Sequence, residues 1–117
     1  MITREFAMQF AEEWIEAWNS HDLERVLSHY SDDFEMSSPR IPIIVGNESG
    51  VLRGKDAIGA YWRRALELTP QLQFELISIF VGADSVVLYY RSVRGRATEV
   101  FFFNTAGEVI KAAANYA

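Results

Sequence analysis

The hydrophobic period of this chain changes once, at Thr69-Pro70, and that change decides its fold class. Before it, apolar residues recur at helical spacing; after it, they alternate. Phe6, Phe10, Trp14 and Trp18 return every fourth residue, with Ala7, Ala11 and Ile15 beside them and Glu5, Gln9, Glu12, Glu13 and Glu16 opposite. This predicts an amphipathic helix over 3–19, capped by Thr3 and stopped by Asn19-Ser20. Asp22 is placed to cap a second, shorter helix with Leu23, Val26, Leu27 and Tyr30 as its stripe. Ser31-Asp32-Asp33 breaks it, and Phe34-Glu35-Met36 reads as a short strand. Residues 37–54, with Pro39, Pro42, Gly46, Gly50 and Gly54, read as an irregular loop, either a lid over something or a variable insertion. A third helix is predicted over 55–69, ended by Thr69-Pro70. Beyond it, four strands are predicted over 72–81, 86–93, 96–104 and 108–116. Their connections are too short for anything but antiparallel neighbours. Helices followed by a meander make an α+β plan, with the helices on one face of the sheet.

The chain of 117 residues (1–117) has room for one domain and one core. Eleven basic residues against 16 acidic ones give a net charge of −5, which is not the footprint of a nucleic-acid binder. Cysteine is absent, so disulfides, thiol nucleophiles and cysteine metal sites are excluded. No apolar run approaches the roughly 20 residues of a membrane span, and no apolar signal core opens the chain. The expectation is a cytoplasmic domain with no membrane and no nucleic-acid partner.

Aromatic residues make up 14% of the chain, a load that serves either a bulky core or a lined pocket. Alternation assigns the strands two faces. One carries Leu72, Phe74, Leu76, Ser78, Phe80, Val86, Leu88, Tyr90, Ser92, Ala97, Glu99, Phe101, Phe103, Ile110, Ala112, Ala114 and Tyr116. The other carries Ile77, Ile79, Val81, Val87, Tyr89, Val100, Phe102, Val109 and Ala113 among polar residues. Both are apolar, and a bulge would flip part of either. One must bury the helices; the other is expected to be a homodimer interface. On the first face, Ala112 and Ala114 are small where large side chains would fill space, and Glu99 is a carboxylate among apolar neighbours. Such a group either pairs with an arginine (Arg91, Arg53 or Arg40), reaches water at an edge, or is a pocket acid with a raised pKa that can move a proton.

The order of helices and strands, together with Asn19-Ser20-His21-Asp22-Leu23, His29-Tyr30-Ser31-Asp32-Asp33-Phe34, Ser38-Pro39, Leu52-Arg53-Gly54-Lys55-Asp56-Ala57-Ile58 and Asn104-Thr105-Ala106-Gly107-Glu108-Val109-Ile110, resembles the SnoaL-like domains of the nuclear transport factor 2-like superfamily. The resemblance covers nearly the whole chain. It implies a cystatin-like cone: three N-terminal helices on a strongly curved antiparallel sheet, with a central pocket. The superfamily holds isomerases, cyclases, dehydratases, epoxide hydrolases and proteins without chemistry, so fold alone does not give activity. Set against the steroid Δ-isomerase type, Glu99 matches the buried acid and Tyr30 a hydrogen-bonding tyrosine. Trp14 stands for the oxyanion-hole tyrosine, Trp62 for a supporting tyrosine, and Ser38 for the general-base aspartate, whose role it cannot perform. The cyclases' acid near the end of the last strand has no counterpart among Asn115, Tyr116 and Ala117, and Arg53 with Asp56 does not complete the epoxide hydrolases' Asp-Arg-Asp set.

Other chemistry is poorly represented. His21 and His29 do not share a helical metal-binding face, and no metal or other cofactor is implied. Arg94-Gly95-Arg96 reads as a charged turn rather than a phosphate cradle, and Arg63-Arg64 as the wet side of a helix. Two readings follow. In the first, Glu99 and Tyr30 are catalytic in an isomerase-, dehydratase- or cyclase-like reaction of a small apolar substrate, aromatic or polycyclic. Trp14, Trp18, Ser38, Trp62, Tyr90, Phe101, Ala112 and Tyr116 then bind that substrate. In the second, the same cavity serves a non-catalytic binding or dimeric partner domain.

Overall fold

The computed structural model describes all residues, Met1–Ala117. The elements are α1 (Arg4–Asn19), α2 (Leu23–Leu27), β1 (Tyr30–Ser37), α3 (Ile41–Val45), β2 (Val51–Arg53), α4 (Lys55–Leu68), β3 (Glu75–Val81), β4 (Ser85–Ser92), β5 (Gly95–Phe103) and β6 (Val109–Tyr116). Thr3 accepts from the Phe6 amide and Asp22 from the Arg25 amide, so both predicted caps satisfy first-turn donors. The strands form a single sheet in the order β2-β1-β6-β5-β4-β3. Only β1 and β6 run parallel; every other pair is antiparallel. The α+β plan holds, with helices covering one face.

The first half departs from expectation in two places. Tyr30–Ser37 is one strand, although Ser31-Asp32-Asp33 looked like a break. Pairing with β6 overrides the local turn preference, and the register shift between Tyr30 and Glu35 absorbs the misfit. Residues 37–54 are not irregular throughout. Pro42 sits in the first turn of the short α3, and Gly46, at φ 76, closes it in the left-handed conformation that glycine adopts without strain. β2 then adds to β1 as an edge strand. The helices therefore number four rather than three.

Two bulges rearrange the sheet faces. The register of β3 slips between Leu76 and Ser78, so Ile79 and Val81 join the core while Phe80 is 56% exposed. The register between β5 and β6 slips at Phe102/Phe103, so Val109 is fully buried and Ile110 points out. Strict alternation placed Phe80 and Ile110 inside and Ile79, Val81 and Val109 outside; one extra residue in each strand reverses them.

The core answers half of the aromatic question. Phe10 from α1 meets Phe101 and Phe103 edge-to-face at centroid distances of 4.8 and 5.0 Å. Phe101 also packs against Trp14 at 5.3 Å. Burying three such rings contributes several kcal/mol, at roughly 1.5–3 kcal/mol per large apolar side chain. This cluster fills one end of the cone. Farther along α1, Trp14 and Trp18 face a different space.

Candidate functional site

Strands β4, β5 and β6 and helices α1 and α4 converge on a cavity of about 90 Å³ between the sheet and its helical cover. Strand β5 supplies Glu99, β4 supplies Tyr90, and β6 supplies Ala114 and Tyr116. The helices contribute Trp14 and Trp18 from α1 and Tyr61, Trp62 and Ala65 from α4. The space exists because position 114 is alanine where the flanking walls are aromatic. Across the β5–β6 register Ala114 lies directly opposite Glu99, so no side chain from β6 covers the carboxyl group.

Glu99 is the chemical centre. It is 4% exposed and takes part in no ion pair. Of its expected partners, Arg91 bonds to Glu75 at 3.1 Å and Arg53 to Glu35 at 2.6 Å, both on the outside of the sheet. Arg40, the third, lines the same cavity but makes no ion pair with Glu99. Its one hydrogen bond comes from the Tyr90 hydroxyl to Oε1, at a long 3.3 Å. Its other oxygen has no hydrogen-bond partner in the protein, and Glu99 lines the cavity. Burial in an apolar wall, opposed only by the Tyr90 bond, pushes the Glu99 carboxyl up to about 8. It is mostly protonated at neutral pH. Burial, and then the field of Glu99, also raise the hydroxyls of Tyr30 and Tyr90 well above the ordinary tyrosine range.

The predicted site residues divide into two groups. Glu99, Trp14, Trp18, Trp62, Tyr90 and Tyr116 line the cavity together; Tyr30, Ser38, Phe101 and Ala112 do not. Tyr30 is wholly buried behind Trp14, whose Nε1–H donates to its hydroxyl at 3.0 Å, so neither group has this bond free for a ligand. Ser38 accepts from the Tyr61 hydroxyl at 3.3 Å and holds that ring from behind. Phe101 belongs to the core cluster, and Ala112 lies one pleat repeat from the cavity, where its neighbour Ala114 takes the wall position. Trp18 Nε1–H is a buried donor without a partner, a state that costs about 1–3 kcal/mol until an acceptor arrives.

Sequence reasoning missed Tyr61, Thr69, Arg40 and Arg94 as lining residues. For Tyr61 the signal was present: it precedes Trp62 and lies one turn before Ala65 on the buried side of α4. The two arginines lie in connections, at the start of α3 and in the β4–β5 turn, where no periodicity reports direction. Of the histidines, His21 bonds to the Leu72 carbonyl at 2.9 Å and His29 lies 3.4 Å from Glu13; neither borders the cavity.

An enclosed cavity of ~150 Å³ admits benzene, and drug-sized ligands occupy ~300–1,000 Å³. At about 90 Å³, this inner space by itself accommodates only a few heavy atoms of a ligand.

Comparison with known proteins finds relatives over nearly the whole chain. A crystal structure of a SnoaL-like protein of unknown function from Burkholderia thailandensis is 56% identical, with a TM-score of 0.95 over 99% of this chain and 98% of that one. A candidate isomerase of the SnoaL-like family from Agrobacterium tumefaciens shares the fold at 18% identity, with a TM-score of 0.74 over 94% of this chain and 96% of that one. So does a Mycobacterium tuberculosis protein crystallised with estradiol-17β-hemisuccinate, at 18% identity and a TM-score of 0.74, over 96% of this chain and 94% of that one. No curated protein matches. The SnoaL-like domain model matches residues 11–113, nearly the full length, and the chain accordingly belongs to the SnoaL-like domain family.

Proposed function

We propose that this SnoaL-like protein is an acid/base catalyst for a small molecule, performing an isomerase-, dehydratase- or cyclase-like proton shift with Glu99 as the titrating group. The observation that carries the reading is a buried carboxyl group, without a cationic partner, that lines a cavity. A structural glutamate would be paired or hydrated, whereas a proton donor needs a protonated form at working pH and an open path to its substrate. With a pKa of about 8, Glu99 donates at neutral pH and returns as a base once deprotonated. Tyr90 steadies the carboxylate formed. The test is turnover of small enones, hydroxy ketones and lactones. Glu99→Gln should abolish any activity found while leaving ligand affinity within a few-fold.

A binding role without chemistry is the second reading. It is favoured by Glu99 being the one carboxylate in the cavity wall, with Ser38 where the steroid isomerase type has its base. In that case Glu99→Gln alters no rate, and a ligand co-purifies unchanged. In either case we propose a homodimer through the outer sheet face. Phe80, Ile77 and Ile110 are exposed there, and Val87, Val100 and Phe102 are half-buried on the same side.

A further inference from the structure

The cavity opens outward past Arg40, Ser92, Arg94 and Tyr116, and these four residues also line a second space of about 250 Å³. Arg96 and the last residue, Ala117, also border that outer space, and no aspartate or glutamate side chain does. The charge arrangement is unusual for this chain. Acidic residues outnumber basic ones 16 to 11, and Arg25, Arg53, Lys55, Arg64, Arg91 and Lys111 all have carboxylate partners. Of the five basic residues without one, Arg4 and Arg63 are exposed on helices and border neither space, whereas Arg40, Arg94 and Arg96 all border the outer space. Two of the three are nevertheless aimed: Arg94 Nη2 donates to the Oγ1 of buried Thr69 at 3.0 Å, and Arg96 Nη1 donates to the Tyr89 hydroxyl at 3.1 Å. Each bond takes one N–H of a guanidinium that carries five, so donors remain for a ligand. Electrostatics in the cavity point the same way. The field of Arg40 reaches the hydroxyls of Tyr61 and Tyr116, so the rim charge is felt inside.

We propose that Arg40, Arg94 and Arg96 form an anion-binding vestibule, and that the natural ligand is a small amphipathic anion whose carboxylate or phosphate ester is held at the rim while its uncharged end reaches toward Glu99. Guanidinium groups suit both anions, because their forked donors match paired oxygens. The dimensions agree: the inner space takes a few heavy atoms, and inner and outer spaces between them reach the lower end of the range for small-molecule sites, ~300 Å³. A protonated Glu99 also suits an anionic ligand, since an ionised carboxylate deeper in the same cavity would repel it. The vestibule deepens the catalytic reading by naming its substrate class, but it stands or falls on binding alone.

Hexanoate, hexanamide and butyl phosphate separate the possibilities in an NMR titration of the full chain at 50 mM salt, with the indole N–H signals of Trp14, Trp18 and Trp62 reporting the cavity. Hexanoate should bind at least about ten-fold tighter than hexanamide and move both rim amides and indole signals. The preference should shrink toward parity at 0.5 M salt, as screened charge attraction must. Butyl phosphate binding tighter or weaker than hexanoate assigns the anion class. Arg40→Ala and Arg94→Ala should each weaken hexanoate about three- to ten-fold and leave hexanamide unchanged. Arg63→Ala, at an exposed arginine on α4 that borders neither space, should change neither. Glu99→Gln should keep the acid-over-amide preference, which separates the vestibule from the catalytic reading. Equal affinity for acid and amide, no response to either arginine change, or rim shifts without indole shifts would each overturn the proposal.

Discussion

Replacing Glu99 by glutamine tests the buried acid without any knowledge of the substrate. In the unfolded chain this carboxyl titrates near 4.5; in the folded protein it titrates at about 8. At about 1.4 kcal/mol per pH unit, the folded state holds the proton more tightly by about 5 kcal/mol. The sign follows from proton binding. Between those two values the native state carries a proton that the unfolded chain has released, so stability is full below pH 4.5, falls as pH rises to about 8, and then levels off. Between pH 5 and 7.5 the wild type should lose about 3 kcal/mol from this group, a large share of the ~5–15 kcal/mol typical of a domain. The amide introduced by Glu99→Gln does not titrate, so the variant should gain on the wild type by that amount over the same interval. Urea unfolding of both proteins at pH 5, 6 and 7.5, followed by tryptophan fluorescence, measures the difference directly. Because every other titrating group is common to both proteins, the absolute effect of the substitution drops out. Parallel stability curves would refute the claim that Glu99 is buried without a counter-charge.

Four further outcomes are expected. Trp14→Phe keeps an aromatic ring but leaves the buried Tyr30 hydroxyl without its 3.0 Å donor; chemical denaturation should show a loss of about 1–3 kcal/mol. Phe101→Ala empties the centre of the aromatic cluster and should cost about 3–5 kcal/mol in the same assay. Ala114→Leu places a branched side chain opposite Glu99, so titrated ligands should no longer shift the cavity indole signals, with a destabilisation of about 1–3 kcal/mol from overpacking. Phe80→Lys should move the sedimentation profile from dimer to monomer; a wild type that sediments as a monomer at micromolar concentration removes the dimer proposal.

What could be read without coordinates follows the strength of local signals. The four-residue spacing of Phe6, Phe10, Trp14 and Trp18 located α1 and its buried side, and Thr3 and Asp22 marked helix starts correctly. Alternation in β4 and β5 placed Glu99, Tyr90 and Phe101 inside, because neither strand carries an internal slip against the other. It failed at Phe80 and Ile110, where a single extra residue reverses direction and leaves no mark in the hydrophobic pattern. Segment 37–54 misled for a different reason. Its prolines and glycines do break structure, but β2 forms because β1 offers an open edge, which is information held elsewhere in the chain. At the site, residue type identified Glu99 as anomalous. Which tyrosine would stand beside the cavity and which behind it depended on packing: Tyr30 and Tyr61 are both buried, and only the second lines the space.

Glu99 stands on β5, flanked through backbone pairing by Leu88 on one neighbour and Ala114 on the other. Its main chain is clamped from both sides, whereas its side chain meets one tyrosine and an opening. Such a pedestal lets a lineage exchange the reactive group, carboxyl for amide or hydroxyl, while the scaffold stays still. A new activity at this position would require one codon and no redesign of the architecture beneath it.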